Sequence, residues 1–427
     1  MHITVYGDTL CAQVTATAMA QTGHQVLWCL VEPESREQLA KGRPLFREQG
    51  LDLLFADQLE SGRLTMDFWE GNPQGLTDAV FLALQPGQHG LAAELTKSLA
   101  SSTSTGCGVI VNQTTGPVGS AELLRDIAKQ IDPRAFLVAL PDLIQEGNAF
   151  QTFTRPDSIL LGCEDGEGEA LVRELLRPFN RRKDVIQVMS LREAEFAKLA
   201  ISGILATRIS YMNDMASLSE SLGVDIDVVR VAMGADPRIG EAYLYPGCGF
   251  GGPGLSSNVL ALVDALNERA AEPGLLERVL RTNERQKEVL FRKFWQFHQG
   301  SVAGKKVALW GVAFKPGTHR VDNAPALKVI EALWAQGVKV TAHDPRALAD
   351  LGQWAQGRGE LTLCDDPYEA AEGADALMLI TEWKPYWSPD WQRLKRVMRE
   401  PLILDGRNIY EPAFVREQGL VYRGIGR

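Results

Sequence analysis

The chain has 427 residues, enough for two or three domains, and its 45% hydrophobic and 23% charged content is that of an ordinary globular protein. A formal net charge of -10 argues against nucleic acid or an anionic membrane surface as the main partner, and no apolar run approaches the roughly 18 residues of a membrane span. The six cysteines (Cys11, Cys29, Cys107, Cys163, Cys248, Cys364) are scattered without a CxxC pair, which predicts reduced thiols in a cytoplasmic protein, with no disulfide frame and no metal site.

Ile3 to Tyr6 reads as an apolar strand ending at Gly7, Ala12 to Thr22 as a helix stopped by Gly23, and Val26 to Val31 as a second buried strand. Strand, glycine turn, helix and strand at this spacing predict the opening βαβ of a dinucleotide-binding Rossmann fold. The turn Gly7-Asp8-Thr9-Leu10-Cys11-Ala12 departs from GxGxxG. Ala12 is an accepted third member, but Thr9 puts a Cβ where the backbone approaches a pyrophosphate. Asp8 adds a negative charge beside a helix N-terminus suited to an anion. Leu30 stands where the second strand should end in an acid, and Glu32 could serve in a shifted register. Two readings follow: a weakened NAD site built on Gly7, Thr9, Leu10, Ala12 and Glu32, or a Rossmann fold kept for structure alone.

Asp78 to Leu84, Gly108 to Asn112 and Phe136 to Ala139 read as further strands, with a helix from Ser120. Polar residues beyond strand C-ends face the ligand crevice of a parallel sheet, so Thr115, Asp142 and Glu146 are site candidates; helix caps and loop polar groups are the plainer reading. From Leu191 to Leu222 there is no proline and Gly203 is the sole glycine, which predicts a single helix of about 30 residues, long enough to join domains and make a dimer interface. Lys198 lies on it among apolar neighbours, as a snorkelling lysine or a site cation. A helical region follows, from Asp227 to Met233, Val259 to Glu268 and Leu275 to Trp295. Between its parts lies the glycine-rich stretch Pro246 to Asn258, expected as a loop.

After a linker at Gly300 to Gly304, strands at Lys305–Gly311, Val338–Asp344, Ala374–Ile380 and Leu402–Asp405, with a helix at Pro325–Gln336, predict a second open parallel sheet. The expected fold class is α/β: two Rossmann-like parallel-sheet domains joined by a long central helix and a helical middle domain, divided at 1–190, 191–300 and 301–427.

With these pieces in order the chain resembles the UDP-glucose/GDP-mannose (nucleotide-sugar) 6-dehydrogenases from end to end. The carrying segments are Gln113-Thr114-Thr115-Gly116-Pro117-Val118-Gly119, Pro141 to Gly147, Glu193 to Lys198, Asp236-Pro237-Arg238-Ile239-Gly240, the glycine-rich stretch, Gly311 to Thr318, Thr381-Glu382-Trp383 and Asp405-Gly406-Arg407-Asn408. The resemblance implies NAD-dependent oxidation of the sugar C6 alcohol to a carboxylate. A cysteine captures the aldehyde, and the resulting thioester is hydrolysed. It places the family threonine on Thr115, the glutamate on Glu146 and the lysine on Lys198, with Asp142 as a shorter acid. The oxyanion asparagine falls on Ser202, the nucleophilic cysteine on Gly254, and the lysine and aspartate after it on Ser257 and Asn258. For the nucleotide sugar it points to Phe250, Gly251, Gly252, Lys315 and Arg407. Arg238 matches an arginine that in relatives reaches the neighbouring subunit's substrate, and Asp322 replaces an arginine.

The implied ligands are NAD and a nucleotide sugar, a UDP-sugar favoured over a GDP-sugar, in a homodimer formed through the long helix. The losses fall where hydride transfer and thioester chemistry take place. They predict a dehydrogenase homologue that binds a nucleotide sugar but is impaired in oxidising it. An oxidoreductase stopping at an aldehyde or ketone, and a scaffold for an active paralogue, are the alternatives. Cys248, six residues before Gly254 on the same stretch, is the one nearby thiol that could substitute.

Overall fold

The computed structural model describes residues 1–40, 45–48, 50–71, 77–101, 108–181, 183–268 and 274–427; Cys107 lies outside them. The chain divides into two units, Met1–Ala200 and Ile201–Arg427.

Among the described residues of the first unit, eight strands form one sheet: β1 (His2–Tyr6), β2 (Gln25–Leu30), β3 (Leu64–Phe68), β4 (Ala79–Leu82), β5 (Val109–Asn112), β6 (Leu137–Ala139), β7 (Ile159–Gly162) and β8 (Ile186–Met189). Their order is β3-β2-β1-β4-β5-β6-β7-β8, parallel except where β6 meets β7. β1, β4 and β5 are buried almost throughout, as a sheet covered on both faces requires. The direction of winding reverses between β1 and β4, and ligands of such sheets bind beyond the strand C-ends at that point. The Leu10–Gln21 helix starts there and is buried from Leu10 to Ala20.

The second unit carries a six-stranded, all-parallel sheet among its described residues: β9 (Lys306–Trp310), β10 (Lys339–His343), β11 (Leu361–Leu363), β12 (Ala376–Leu379), β13 (Leu402–Asp405) and β14 (Val421–Arg423). Its order β11-β10-β9-β12-β13-β14 repeats the winding of the first sheet. Before it come helices Ile226–Gly234, Pro253–Glu268, Gly274–Lys287 and Val289–Phe297.

The long helix runs from Leu191 to Leu222, the expected bounds; residues to Ala200 count with the first unit and the rest with the second. Two expectations are corrected. The run from Leu275 is two helices, broken at Glu288. The glycine-rich stretch is a loop only as far as Gly252, because the next helix begins at Pro253. Proline suits the first helical position, where no N–H is needed and its fixed φ is already helical. Gly254 is therefore the second residue of a helix, and Asn258 lies one turn on.

Candidate functional site

In the first unit the glycine turn closes against the end of β4. Gly7 has φ +129° and a Cβ there would overlap the Ala83 carbonyl, so the position demands glycine. Thr9 does not project into the phosphate position. Its Oγ1 donates to Ala83 O at 2.7 Å and accepts from Ala12 N–H at 3.1 Å, capping the helix. Gln13 N–H goes to Thr9 O. With Ala12 N–H capped and Gln13 N–H in the helix ladder, the N–H groups of Leu10 and Cys11 in the first turn have no hydrogen-bond partner among the described residues. The Leu10 side chain packs with Val14, Leu51 and Ala149 and offers a ligand only its backbone. A dinucleotide pyrophosphate therefore fits this turn: the threonine folds back onto the protein and two N–H groups at a helix N-terminus are left for an anion.

The expectation for Asp8 is corrected. Its carboxylate turns to the far end of β2, accepting from Val31 N–H at 2.9 Å and Glu32 N–H at 2.7 Å. Burial pushes its pKa up, against those hydrogen bonds, which pull it down. Glu32 is half-buried and accepts from Gln88 Nε2.

Three candidates meet beyond the strand ends. Lys198 Nζ donates to Thr115 Oγ1 and to Asp142 Oδ2, the latter at 2.8 Å, with the Lys198 side chain 10% exposed and that of Asp142 22%. Lys198 is thus a buried, hydrogen-bonded lysine and not a snorkelling one. Thr115 is set by its neighbour: Thr114 Oγ1 donates to Leu82 O and accepts from Leu84 N–H, both at 3.1 Å. Half-buried Glu146 precedes Gly147, whose N–H is held by Glu48 Oε1 at 2.5 Å; Glu48 Oε2 takes Ala149 N–H at 3.0 Å. Glu195 similarly caps the Ser120–Ile131 helix, accepting from Gly119 and Ala121 N–H at 2.7 and 2.8 Å. Sequence reading assigned Glu48 and Glu195 no role, because each acts on a segment far away along the chain.

In the second unit the glycine loop is stitched down by amide side chains. Asn213 Oδ1 accepts from Gly247 N–H at 2.8 Å, and Gln286 Nε2 donates to Gly247 O at 2.8 Å. Asn283 accepts from Phe250 N–H at 2.8 Å and donates to Phe250 O at 3.0 Å. Fully buried Lys287 donates to Glu284 and Asn323, each at 2.6 Å. Asn283, Gln286 and Lys287 recur at i, i+3 and i+4 on one helix face, a polar signal that could have been read from sequence. Phe250 is packed with Ala206, Val259 and Val279. The bareness of the loop is used against the chain itself: a Cβ on Gly251 would lie 2.5 Å from Asn323 O and 2.9 Å from Ala324 Cα. Gly251→Ala is accordingly expected to destabilise the unit by roughly 2–4 kcal/mol, read as a lowered midpoint in urea unfolding at unchanged slope.

Gly254 is exposed, and a Cβ built on it has no neighbour within 4 Å. Cys248 cannot stand in for a thiol there. It is fully buried, its Sγ 3.6 Å from Ile380 O, and burial raises its pKa away from the reactive thiolate. Asn258 Nδ2 donates to Ser202 Oγ at 2.9 Å, so those two candidates meet. Ser257 bonds back to the carbonyls of Pro253 and Gly254. Lys315 lies half-buried with Nζ 5.7 Å over the Phe314 ring. Asp322 is gripped by Arg320 at 2.9 and 3.1 Å; burial alone would raise its pKa, but the guanidinium outweighs it and the net shift is downward. Arg407 donates to Ile380 O at 2.7 Å, pairs with Glu382 at 3.1 Å and lies against Gly247. Arg238 is not gathered in with these: its side chain is 86% exposed and grips Asp236.

A dinucleotide-type sheet with a buried lysine beyond its strand ends, followed by a second sheet of the same winding, defines a nucleotide-dependent dehydrogenase architecture. The chain belongs to the UDP-glucose/GDP-mannose dehydrogenase family: the family's NAD binding domain matches residues 1–180, its central domain 192–285 and its UDP binding domain 308–412. It is 41% identical to UDP-glucose 6-dehydrogenase of Pseudomonas aeruginosa, covering 100% of this chain and 98% of the relative, and 33% identical to that of Rhizobium meliloti, covering 100% of both. Among solved structures it is similar to a UDP-glucose dehydrogenase from the hyperthermophilic archaeon Pyrobaculum islandicum, with TM-score 0.87, 27% identity, and 100% and 97% of the two chains covered. No helix among the described residues is long and apolar enough to cross a membrane.

Proposed function

We propose that this chain binds a UDP-sugar and NAD but does not complete the four-electron oxidation of the sugar alcohol to a carboxylate. The observation that carries this reading is Gly254: the helix start that should present the thiol is exposed and bare, and Cys248 is locked in the core. Losing a covalent nucleophile typically lowers rate by several orders of magnitude. Leu10 and Cys11 N–H would hold the pyrophosphate, and NAD, when bound, supplies the hydride acceptor. Phe250, Gly251, Gly252, Lys315 and Arg407 are assigned to the nucleotide sugar, Thr115, Asp142, Glu146 and Lys198 to proton handling at the alcohol, and Ser202 and Asn258 to the oxygen that gains charge. The test is NADH formation from UDP-glucose, GDP-mannose and UDP-N-acetyl sugars, beside calorimetric titration with UDP and with NAD separately. Turnover within about tenfold of the usual 1–1000 s⁻¹ would overturn the impairment. Failure to bind UDP would overturn the sugar-nucleotide assignment.

A second reading is favoured by the intact contact of Lys198 with Thr115 and Asp142. The Asp142 carboxylate, held by the Lys198 ammonium beside Thr115, can still take the proton when an alcohol becomes a carbonyl, while the ammonium donates to the oxygen. The chain would then perform a two-electron oxidation and release an aldehyde or ketone, which product analysis separates from silence.

Homodimer formation is proposed through the second unit's part of the long helix. Ile204, Tyr211 and Leu218 recur every seven residues, and with Leu222, Val228 and Val231 they are 48–69% exposed. Large apolar side chains left exposed at this repeat support an association surface. Light scattering should give twice the chain mass, and the pair Ile204→Glu and Leu218→Glu should return the monomer.

A further inference from the structure

A dinucleotide fold reads the adenosine ribose with an acid at the end of its second strand, about 20 residues past the glycine turn. Here the end of β2 is Leu30, 1% exposed and part of the hydrophobic core. A carboxylate nevertheless arrives at the same strand end from the opposite side. Asp8 leaves the glycine turn and takes the N–H groups of Val31 and Glu32, the first two residues beyond β2, at 2.9 and 2.7 Å. Ser35 adds a hydroxyl donor. An ionised carboxylate offers about four acceptor sites, so three donors leave it short of saturation. Asp8 is 5% exposed, and Glu32 beside it supplies a second, half-buried carboxylate.

The second unit shows what a saturated tie looks like. Asp344 directly follows β10 and reaches back to the turn after β9, the reverse of the Asp8 path. It accepts from Val312, Ala313, Arg346 and Ala347 N–H and from Trp383 Nε1, all within 2.7–3.0 Å. Five donors fill both of its oxygens, which leaves nothing for a ribose. Asp8 joins the same two places in the fold with capacity to spare.

We propose that Asp8 selects the dinucleotide: its carboxylate, delivered from the glycine turn, accepts a hydrogen bond from the adenosine ribose and, with Glu32, repels a phosphate on the ribose 2′ position, so that the unit takes NAD and rejects NADP. The proposal rests on the reading of the first unit as a dinucleotide site. An apolar Leu30 and a relocated acid then describe a rewired site, not an abandoned one.

The test is calorimetric titration of the intact protein with NAD, NADP and ADP-ribose, without sugar. The wild type should prefer NAD over NADP on the order of a hundredfold, the scale of a like-charge clash in a partly buried site. Asp8→Asn should narrow that preference to about tenfold or less, with a smaller change for Glu32→Gln. Equal affinity of the wild type for NAD and NADP overturns the proposal and leaves the dinucleotide site standing, whether or not the variants fold. Full discrimination in Asp8→Asn, with its loss in Glu32→Gln, assigns selection to Glu32 and also overturns it. A wild type that binds none of the three nucleotides overturns the dinucleotide reading and this proposal together.

Discussion

Gly254→Cys is expected to install a reactive thiol and to restore uronate formation. The position is the second residue of the Pro253–Glu268 helix, and an added Cβ meets no atom within 4 Å, so the fold should accept it without strain. A helix N-terminus favours the thiolate through its dipole and unpaired N–H groups, and thiols so placed titrate at about 7 or below. The new cysteine should therefore react with iodoacetamide at neutral pH well ahead of Cys248, which is buried with its pKa raised. Chemistry should follow: two NADH per sugar and a carboxylate product, at a rate at least about a hundredfold above the parent. Ser202 and Asn258, the other two positions proposed to have changed, touch each other. Adding Ser202→Asn and Asn258→Asp should raise the rate further. A cysteine at 254 that alkylates readily but yields no carboxylate, even with both companions, would show that the thiol is not what separates this chain from its active relatives.

Lys198→Met is expected to abolish any residual oxidation while leaving UDP binding intact. The ammonium is the hydrogen-bond partner of both Thr115 and Asp142, and methionine replaces its length without its charge. Loss of a positioned cationic hydrogen-bond donor typically lowers rate by about 10²–10³, so NADH formation from a nucleotide sugar should fall to background. Asp142, 22% exposed, loses its partner but keeps some water, so the stability loss should stay near 1–2 kcal/mol, below that of breaking a fully buried pair. Parallel titration with UDP distinguishes a local effect from unfolding. An unchanged rate would remove Lys198 from the chemistry and the two-electron reading with it.

The fold was legible because its signals are local and periodic. Alternation of buried strands with helices, each bounded by glycine or proline, located β1, β5, β9 and β13 and gave the long helix its bounds. β3, β7, β8, β11 and β14 went unread: β3, β8, β11 and β14 show exposed positions that interrupt an apolar run, and β7 turns antiparallel at a single registered pair. The Pro253 start was missed because glycine and serine read as loop, whereas burial of Asn258, Val259, Leu262 and Val263 fixes the helix that begins there.

The sequence by itself, through its ordered family segments, determined the class of protein and placed a glycine at 254, the position proposed for the nucleophile; no fold can add a side chain there. Side-chain partnerships were decided only in three dimensions. Lys198 meets Thr115 and Asp142 across 83 and 56 residues of chain, and no periodicity encodes such a meeting. The same holds for Asp8, which the sequence placed beside the phosphate position and the structure sends to the end of β2, 23 and 24 residues on. A carboxylate goes to the unpaired N–H groups within its reach, and only the folded chain fixes which groups those are.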